Sequence, residues 1–223
     1  MARYIAVVDY HKGNLMSVER GLLSSGAEVR VTDDPSVIVA ACGAVVPGVG
    51  AFADAMEYMV SSGQADALRD LACSRRPLLG ICLGMQLLFE RGNEHAAAPA
   101  PGTVDPWVAG LALLPGEVRR LAGEGVKVPH VGWNSVDYTA HAKDCPLFAG
   151  IDDGSHFYFT HSYACLPGDG DCCVATTEHG GRFASAVWDG AQTFGVQFHP
   201  EKSSETGHRL LANFVRIVQG GAR

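Results

Sequence analysis

The sequence predicts one α/β domain over residues 1–223: a mostly parallel central sheet flanked by helices, with antiparallel strands added in the second half. Three observations carry this. Strand and helix signals alternate from Tyr4 to Arg91, as they do where crossover helices join parallel strands. Between Val126 and Val196 strand signals crowd together among frequent turn residues, the pattern of hairpins. The 223 residues are 47% hydrophobic and 18% charged, enough apolar chain to bury one sizeable core.

The elements follow in order. Tyr4–Asp9 is an apolar strand. Asn14–Ser25 has the helical spacing of Leu15, Val18 and Leu22, and Gly26 is placed to end it. Ala27–Thr32 and Ala44–Val46 read as the second and third strands. Ala51–Ser61 and Ala65–Cys73 read as helices, Leu78–Ile81 as the fourth strand and Met85–Arg91 as a helix. Strands are then expected at Val126–Val131, Phe157–Thr160, Cys172–Thr177, Phe183–Trp188 and Thr193–Phe198. Ser203–Val218 closes the series as a helix, with Leu210, Leu211, Phe214 and Ile217 as its apolar stripe. Ala96–Pro106, rich in Ala and Pro, reads as a surface loop, and Gly220–Arg223 as a frayed end.

Composition narrows the function. Lys and Arg total 17 against 24 Asp and Glu, a net charge of −7, with no basic cluster. Nucleic acid and anionic membrane surfaces are therefore not expected partners. No apolar run reaches the roughly 18 residues of a membrane span, and Asp9 interrupts the first apolar stretch too early for a signal-peptide core. Seven cysteines, an odd number with no Cys-x-x-Cys spacing, indicate neither a disulfide framework nor a zinc site. A reducing cytoplasm is the expected setting.

One cysteine stands out. In Gly80-Ile-Cys82-Leu-Gly84-Met-Gln86 an apolar strand runs into Gly-x-Cys-x-Gly and a helical pattern follows at once. This is a nucleophile elbow with Cys in place of Ser. The tight turn lifts the nucleophile out of the sheet, and the following helix directs its unpaired N–H groups toward the sulfur, which favours thiolate. A second segment, Gly195-Val-Gln-Phe-His199-Pro200-Glu201-Lys202, delivers His199 at a strand end. Pro200 holds His199 extended, and Glu201 can orient the imidazole. Cys82, His199 and Glu201 thus form a candidate nucleophile–base–orienter set. The third segment is Pro47-Gly48-Val49-Gly50-Ala51-Phe52. Gly48-x-Gly50-x-x-Ala53 formally fits a dinucleotide fingerprint, but it follows the third strand and not the first. The alternative is a loop whose N–H groups turn toward an oxyanion.

These three segments, in this order, resemble the class I (triad) glutamine amidotransferases, a flavodoxin-like α/β fold. Four more segments resemble the glutaminase subunits of imidazole glycerol phosphate synthases: Asp9-Tyr10-His11-Lys12-Gly13-Asn14, Leu113–Val118, Pro129-His-Val-Gly-Trp133-Asn134 and Tyr158-Phe-Thr-His-Ser162-Tyr163. His11 stands where the first signature has Gly. The resemblance implies hydrolysis of L-glutamine by Cys82, His199 and Glu201, with no cofactor and no metal. Oxyanion donors are then expected at Leu83 and Val49, around Gly48. Gly50, Gln86, Ser162 and Tyr163 are expected to contact glutamine. A separate cyclase subunit is the implied partner, facing Trp133, Tyr158, Lys202 and Asn14. An amidotransferase serving anthranilate or guanylate synthesis, a stand-alone γ-glutamyl hydrolase, and a non-enzymatic thiol sensor remain open alternatives.

Overall fold

A computed structural model describes residues 4–96, 106–122, 125–168 and 172–220. The predicted loop Ala96–Pro106 and the end Gly220–Arg223 lie mostly outside these residues. Five parallel strands form the heart of the sheet: β1 (Tyr4–Val8), β2 (Glu28–Thr32), β3 (Gly43–Gly48), β4 (Leu78–Cys82) and, from the far end of the chain, β14 (Thr193–Val196), in the order β2-β1-β3-β4-β14. Their helices are α1 (Leu15–Ser24), α2 (Pro35–Ala40), α3 (Phe52–Ser61), α4 (Gln64–Cys73), α5 (Leu83–Leu87) and α6 (Ser204–Val218).

The alternation of side chains along these strands builds two cores. Tyr4, Ala6, Val8, Ala44 and Val46 face α2, α3 and α4 through Ile38, Met56, Met59, Leu68 and Leu71. Ile5, Val7, Val45, Leu79 and Ile81 face α1 and α6 through Val18, Leu22, Leu210, Leu211 and Phe214. Both faces of the sheet are covered, so the strands read as unbroken apolar runs. α1 and α6 approach so closely that a Cβ on Gly21 would meet Leu211 at 2.5 Å.

Beyond β14 the sheet turns antiparallel, through β13 (Arg182–Trp188) and β11 (Tyr163–Pro167) to β7 (Leu114–Arg120). It ends in β5 (Phe89–Gly92) and β6 (Val108–Ala109). β12 (Cys173–Glu178) pairs with β13 and with the short β9 (Asp137–Tyr138). β8 (His130–Ser135) and β10 (His156–His161) form a separate antiparallel pair.

The predicted fold class holds, with local corrections. The expected helix Met85–Arg91 begins at Leu83 and stops at Leu87, because Phe89–Gly92 leaves to pair with β7. The strand expected at Val126–Val131 lies at His130–Ser135, where pairing with β10 sets its register. α2, β7 and β11 carried no period strong enough to predict. His11 takes a φ of +61°, the left-handed conformation natural to the glycine it replaces, and its N–H donates to the Asp9 carboxylate at 2.7 Å. Cys82, Cys145, Cys165 and Cys172 are buried. Among the described residues no helix is long and apolar enough to cross a membrane.

Candidate active site

The C-terminal ends of β3, β4 and β14 lie side by side and carry the predicted residues. β4 ends in Cys82 with φ +54° and ψ −109°, a strained conformation for a residue with a side chain, and the chain enters α5 immediately. The flanking glycines make this turn possible. A Cβ on Gly80 would stand 2.5 Å from the Gly84 carbonyl oxygen, and one on Gly84 would stand 1.7 Å from the Val46 carbonyl oxygen. Backbone cannot give way as a flexible side chain would. Gly84→Ala is therefore expected to cost about 3 kcal/mol of stability. The urea midpoint should fall with little change in slope.

His199 is held through its backbone. Its N–H donates to the Tyr158 carbonyl at 2.9 Å, and its carbonyl accepts from the Ser203 hydroxyl at 2.6 Å. Ser203 Oγ in turn accepts from the Tyr158 N–H at 3.0 Å. β10 thus fixes the strand end from which the imidazole projects. Nδ1 of His199 donates to Glu201 Oε1 at 2.8 Å, with the two side chains only 4% and 2% exposed. Burial alone would push the His199 pKa down. Hydrogen bonding and charge from Cys82 and Glu201 outweigh it and raise the pKa to about 9. Nε2 is buried with no other hydrogen-bond partner, which leaves it to the Cys82 thiol. An imidazole in this setting is basic enough to hold a thiol proton.

The sulfur has two further neighbours. Cys82 Sγ donates weakly to the Thr160 carbonyl at 3.9 Å, and Gln197 Nε2 donates to Sγ at 3.6 Å. Gln86 Nε2 donates to Gln197 Oε1 and to the Tyr163 carbonyl, both at 3.0 Å. Gln197 was not singled out from sequence, although it lies in the His199 segment; only the fold brings it to the sulfur.

A cavity of about 200 Å³ opens over Cys82, lined by Val49, Gly50, Leu83, Gln86, Glu94, Pro129, Thr160, His161, Ser162 and Tyr163. Every substrate residue expected from sequence lines it except Gly48, which ends β3 directly before Val49. Glu94, missed by sequence reasoning, is the one carboxylate in this lining. It accepts from the Phe52 N–H at 3.2 Å, and burial raises its pKa. A larger cavity of about 1020 Å³, among Tyr138, Cys145, Trp188, Gln192 and Arg216, includes none of the predicted site residues.

Behind the pocket lies a histidine stack. His161 Nδ1 faces the Tyr163 carbonyl at 2.8 Å and must donate to it. Burial lowers the pKa of His161 to about 3 and of His130 to about 4, so both rings are neutral. His161 Nε2 therefore accepts from His130 Nδ1 at 3.2 Å, and His130 Nε2 accepts from Asn134 at 3.3 Å. One carbonyl thus sets the tautomer of the pair.

On the outer face of the β8–β10 pair, Trp133 is 52% exposed and edges onto Tyr158 at 6.2 Å. Lys202 Nζ sits 5.8 Å from the Tyr158 ring. Three of the four expected partner residues are thus contiguous. Asn14 is exposed just before α1, and its side chain caps no helix N–H.

The model of the family "Glutamine amidotransferase class-I" matches residues 6–218. Imidazole glycerol phosphate synthase subunit HisH of Moorella thermoacetica is 48% identical over 217 residues, covering 97% of this chain and 96% of that protein. The subunit HisH of Halobacterium salinarum is 48% identical over 212 residues, covering 95% and 92%. Among solved structures, PurLQS from Thermotoga maritima has a TM-score of 0.70 at 16% identity, covering 97% of this chain and 99% of that one, a likeness of fold alone. With residues 6–218 matched by the family model and relatives close to half identical, the chain belongs to the class-I glutamine amidotransferase family.

Proposed function

We propose that the chain, acting as one amidotransferase domain over residues 1–223, is the glutaminase subunit of an imidazole glycerol phosphate synthase. It hydrolyses L-glutamine to glutamate and ammonia and passes the ammonia to a separate cyclase subunit. There the product is imidazole glycerol phosphate together with aminoimidazole carboxamide ribonucleotide, in histidine biosynthesis in the cytoplasm. The observation that carries the chemistry is the buried His199–Glu201 pair beside Cys82 at the elbow. The names of the relatives select this synthase over those of anthranilate and guanylate.

In this reading His199 takes the Cys82 proton and the thiolate attacks the amide carbon of glutamine. N–H groups of Leu83 and Val49 receive the oxyanion. As the carbon–nitrogen bond breaks, His199 returns the proton and ammonia leaves. Water then attacks the thioester with His199 as base, releasing glutamate and restoring the thiol. Glu201 keeps Nδ1 protonated so that Nε2 faces the sulfur. Glu94 supplies the negative charge that suits the α-ammonium of glutamine. Gly50, Gln86, Ser162 and Tyr163 shape the pocket, and no step calls for a cofactor.

The cyclase docks on Trp133, Tyr158 and Lys202, with Asn14 at the margin. β10 explains how docking reaches the chemistry: it presents Tyr158 outward, bonds the His199 backbone and offers the Thr160 carbonyl to Cys82.

The test is ammonia release from glutamine with and without the cyclase and its nucleotide ligand. Activity that rises sharply with both supports the reading. Strong activity indifferent to the cyclase would replace it with a stand-alone γ-glutamyl hydrolase. Trp133→Ala is expected to weaken cyclase binding by about 2 kcal/mol, roughly thirtyfold in Kd by calorimetry.

A further inference from the structure

Tyr10 is 1% exposed, and its hydroxyl is buried without a hydrogen-bond partner. Buried hydroxyls are nearly always paired, so an unpaired one calls for a reason. Its neighbour Asp9 is engaged: the carboxylate accepts from the His11 N–H at 2.7 Å and the carbonyl accepts from Gln64 at 2.8 Å.

The hydroxyl has a particular address. It lies 1.5 Å from where a Cβ of Gly48 would stand, and Leu83 Cβ lies 3.2 Å from the same point. The phenol is therefore wedged between the end of β3 and the start of α5. It touches the two segments whose Val49 and Leu83 N–H groups receive the oxyanion in the reading above. This contact also explains why residue 48 has no side chain: the hydroxyl occupies its place. Burial and the nearby Cys82 sulfur both keep the phenol protonated, as a donor.

Next to Gly48 the backbone is able to turn. Gly50 has φ +108° and Val49 is 42% exposed, so one short exposed side chain separates two glycines. The N–H and C=O of a peptide unit point in opposite directions. Turning the Val49 N–H into the pocket therefore turns the Gly48 carbonyl away from it, on an α-carbon already in contact with Tyr10. We infer that Tyr10 is a positioning residue for the oxyanion loop: its hydroxyl donates to the Gly48 carbonyl when the Gly48–Val49 peptide aims its N–H at the Cys82 site. In the arrangement described here the donor waits unpaired. The turned loop satisfies it, which draws the loop toward the productive state. This inference rests on the amidotransferase reading and deepens it.

Tyr10→Phe tests it, because it removes only the hydroxyl from a packed ring. The variant and the wild type are each assayed with the cyclase and its nucleotide ligand. Four quantities are measured: kcat and KM for ammonia release and the rate of Cys82 alkylation by iodoacetamide in that complex, and the thermal midpoint of the subunit alone. The expected result is a kcat lower by roughly tenfold, the worth of one hydrogen bond, with KM within about twofold. The thermal midpoint of the subunit alone should be unchanged or higher, since an unpaired buried polar atom has been removed, and alkylation should be unchanged. A kcat within about twofold of wild type overturns the inference. So does a loss of kcat accompanied by a raised KM, a lower midpoint or slower alkylation, which would make Tyr10 a packing residue. Wild type that releases no ammonia overturns the amidotransferase reading itself, so the two failures are distinguished by the wild-type arm.

Discussion

Cys82→Ala is expected to lower ammonia release from glutamine by at least ~10⁴-fold, with or without the cyclase, because no other group here can form the covalent intermediate. Its neighbours set the size of this effect. Gln197 and the Thr160 carbonyl make only long contacts to the sulfur and are not nucleophiles. His199, left beside a methyl group, has no thiol to deprotonate. The fold should survive. Residue 82 keeps its strained φ of +54° with a side chain of similar demand, and only the long contacts of the sulfur to Gln197 and the Thr160 carbonyl are lost. The control is added ammonium. With it, the Cys82→Ala subunit and the cyclase should still form product, since ammonia no longer has to come from glutamine. Glutamine-dependent activity persisting in Cys82→Ala would remove the elbow cysteine from the mechanism.

Glu201→Gln should cost about 10³–10⁴ in kcat while leaving the fold intact, as expected where a buried carboxylate orients a catalytic histidine. A neutral amide can offer its N–H to Nδ1, which turns the imidazole proton toward the sulfur and places the wrong tautomer in the site. The pH profile carries the sharper signature. His199 must hold a proton to release ammonia, and its pKa is raised to about 9, so wild-type activity should fall as pH rises through about 9. Without the carboxylate that pKa drops, and the alkaline limb should move to lower pH. The stability linkage has the same origin. His199 is raised above its ordinary 6.5, so its stabilising contribution is complete below about 6.5 and is lost as pH climbs through about 9. Urea midpoints should trace that decline in wild type and a weaker one in Glu201→Gln. An unmoved alkaline limb would show that His199 is not the group titrating there.

Much of the fold was legible because its signals are local. The strands Tyr4–Val8 and Leu78–Cys82 are buried on both faces and read as plain apolar runs. α6 carries a clear stripe through Leu210, Leu211 and Phe214. Legibility failed where pairing overrides a local pattern. Leu87-Leu88-Phe89 is equally apolar as helix or strand, and only the presence of β7 alongside draws Phe89 out of the helix. The register of β8 comes from its partner, which sets His130 opposite His161.

The site divides along the same line. The sequence by itself determined the elbow at Cys82, the adjacency of His199 and Glu201, and the glycines at 48 and 50, because each depends on residues within a few positions of one another. Only the tertiary structure decided that these three segments meet. Their meeting rests on the strand order β3-β4-β14, and parallel pairing joins segments remote in the chain. The same step brought Glu94 into the pocket, Gln197 to the sulfur and the Tyr10 hydroxyl against Gly48. Gln197 lies in the segment of His199, yet like Glu94 and Tyr10 it acquires its role through a contact that exists only once the sheet has closed.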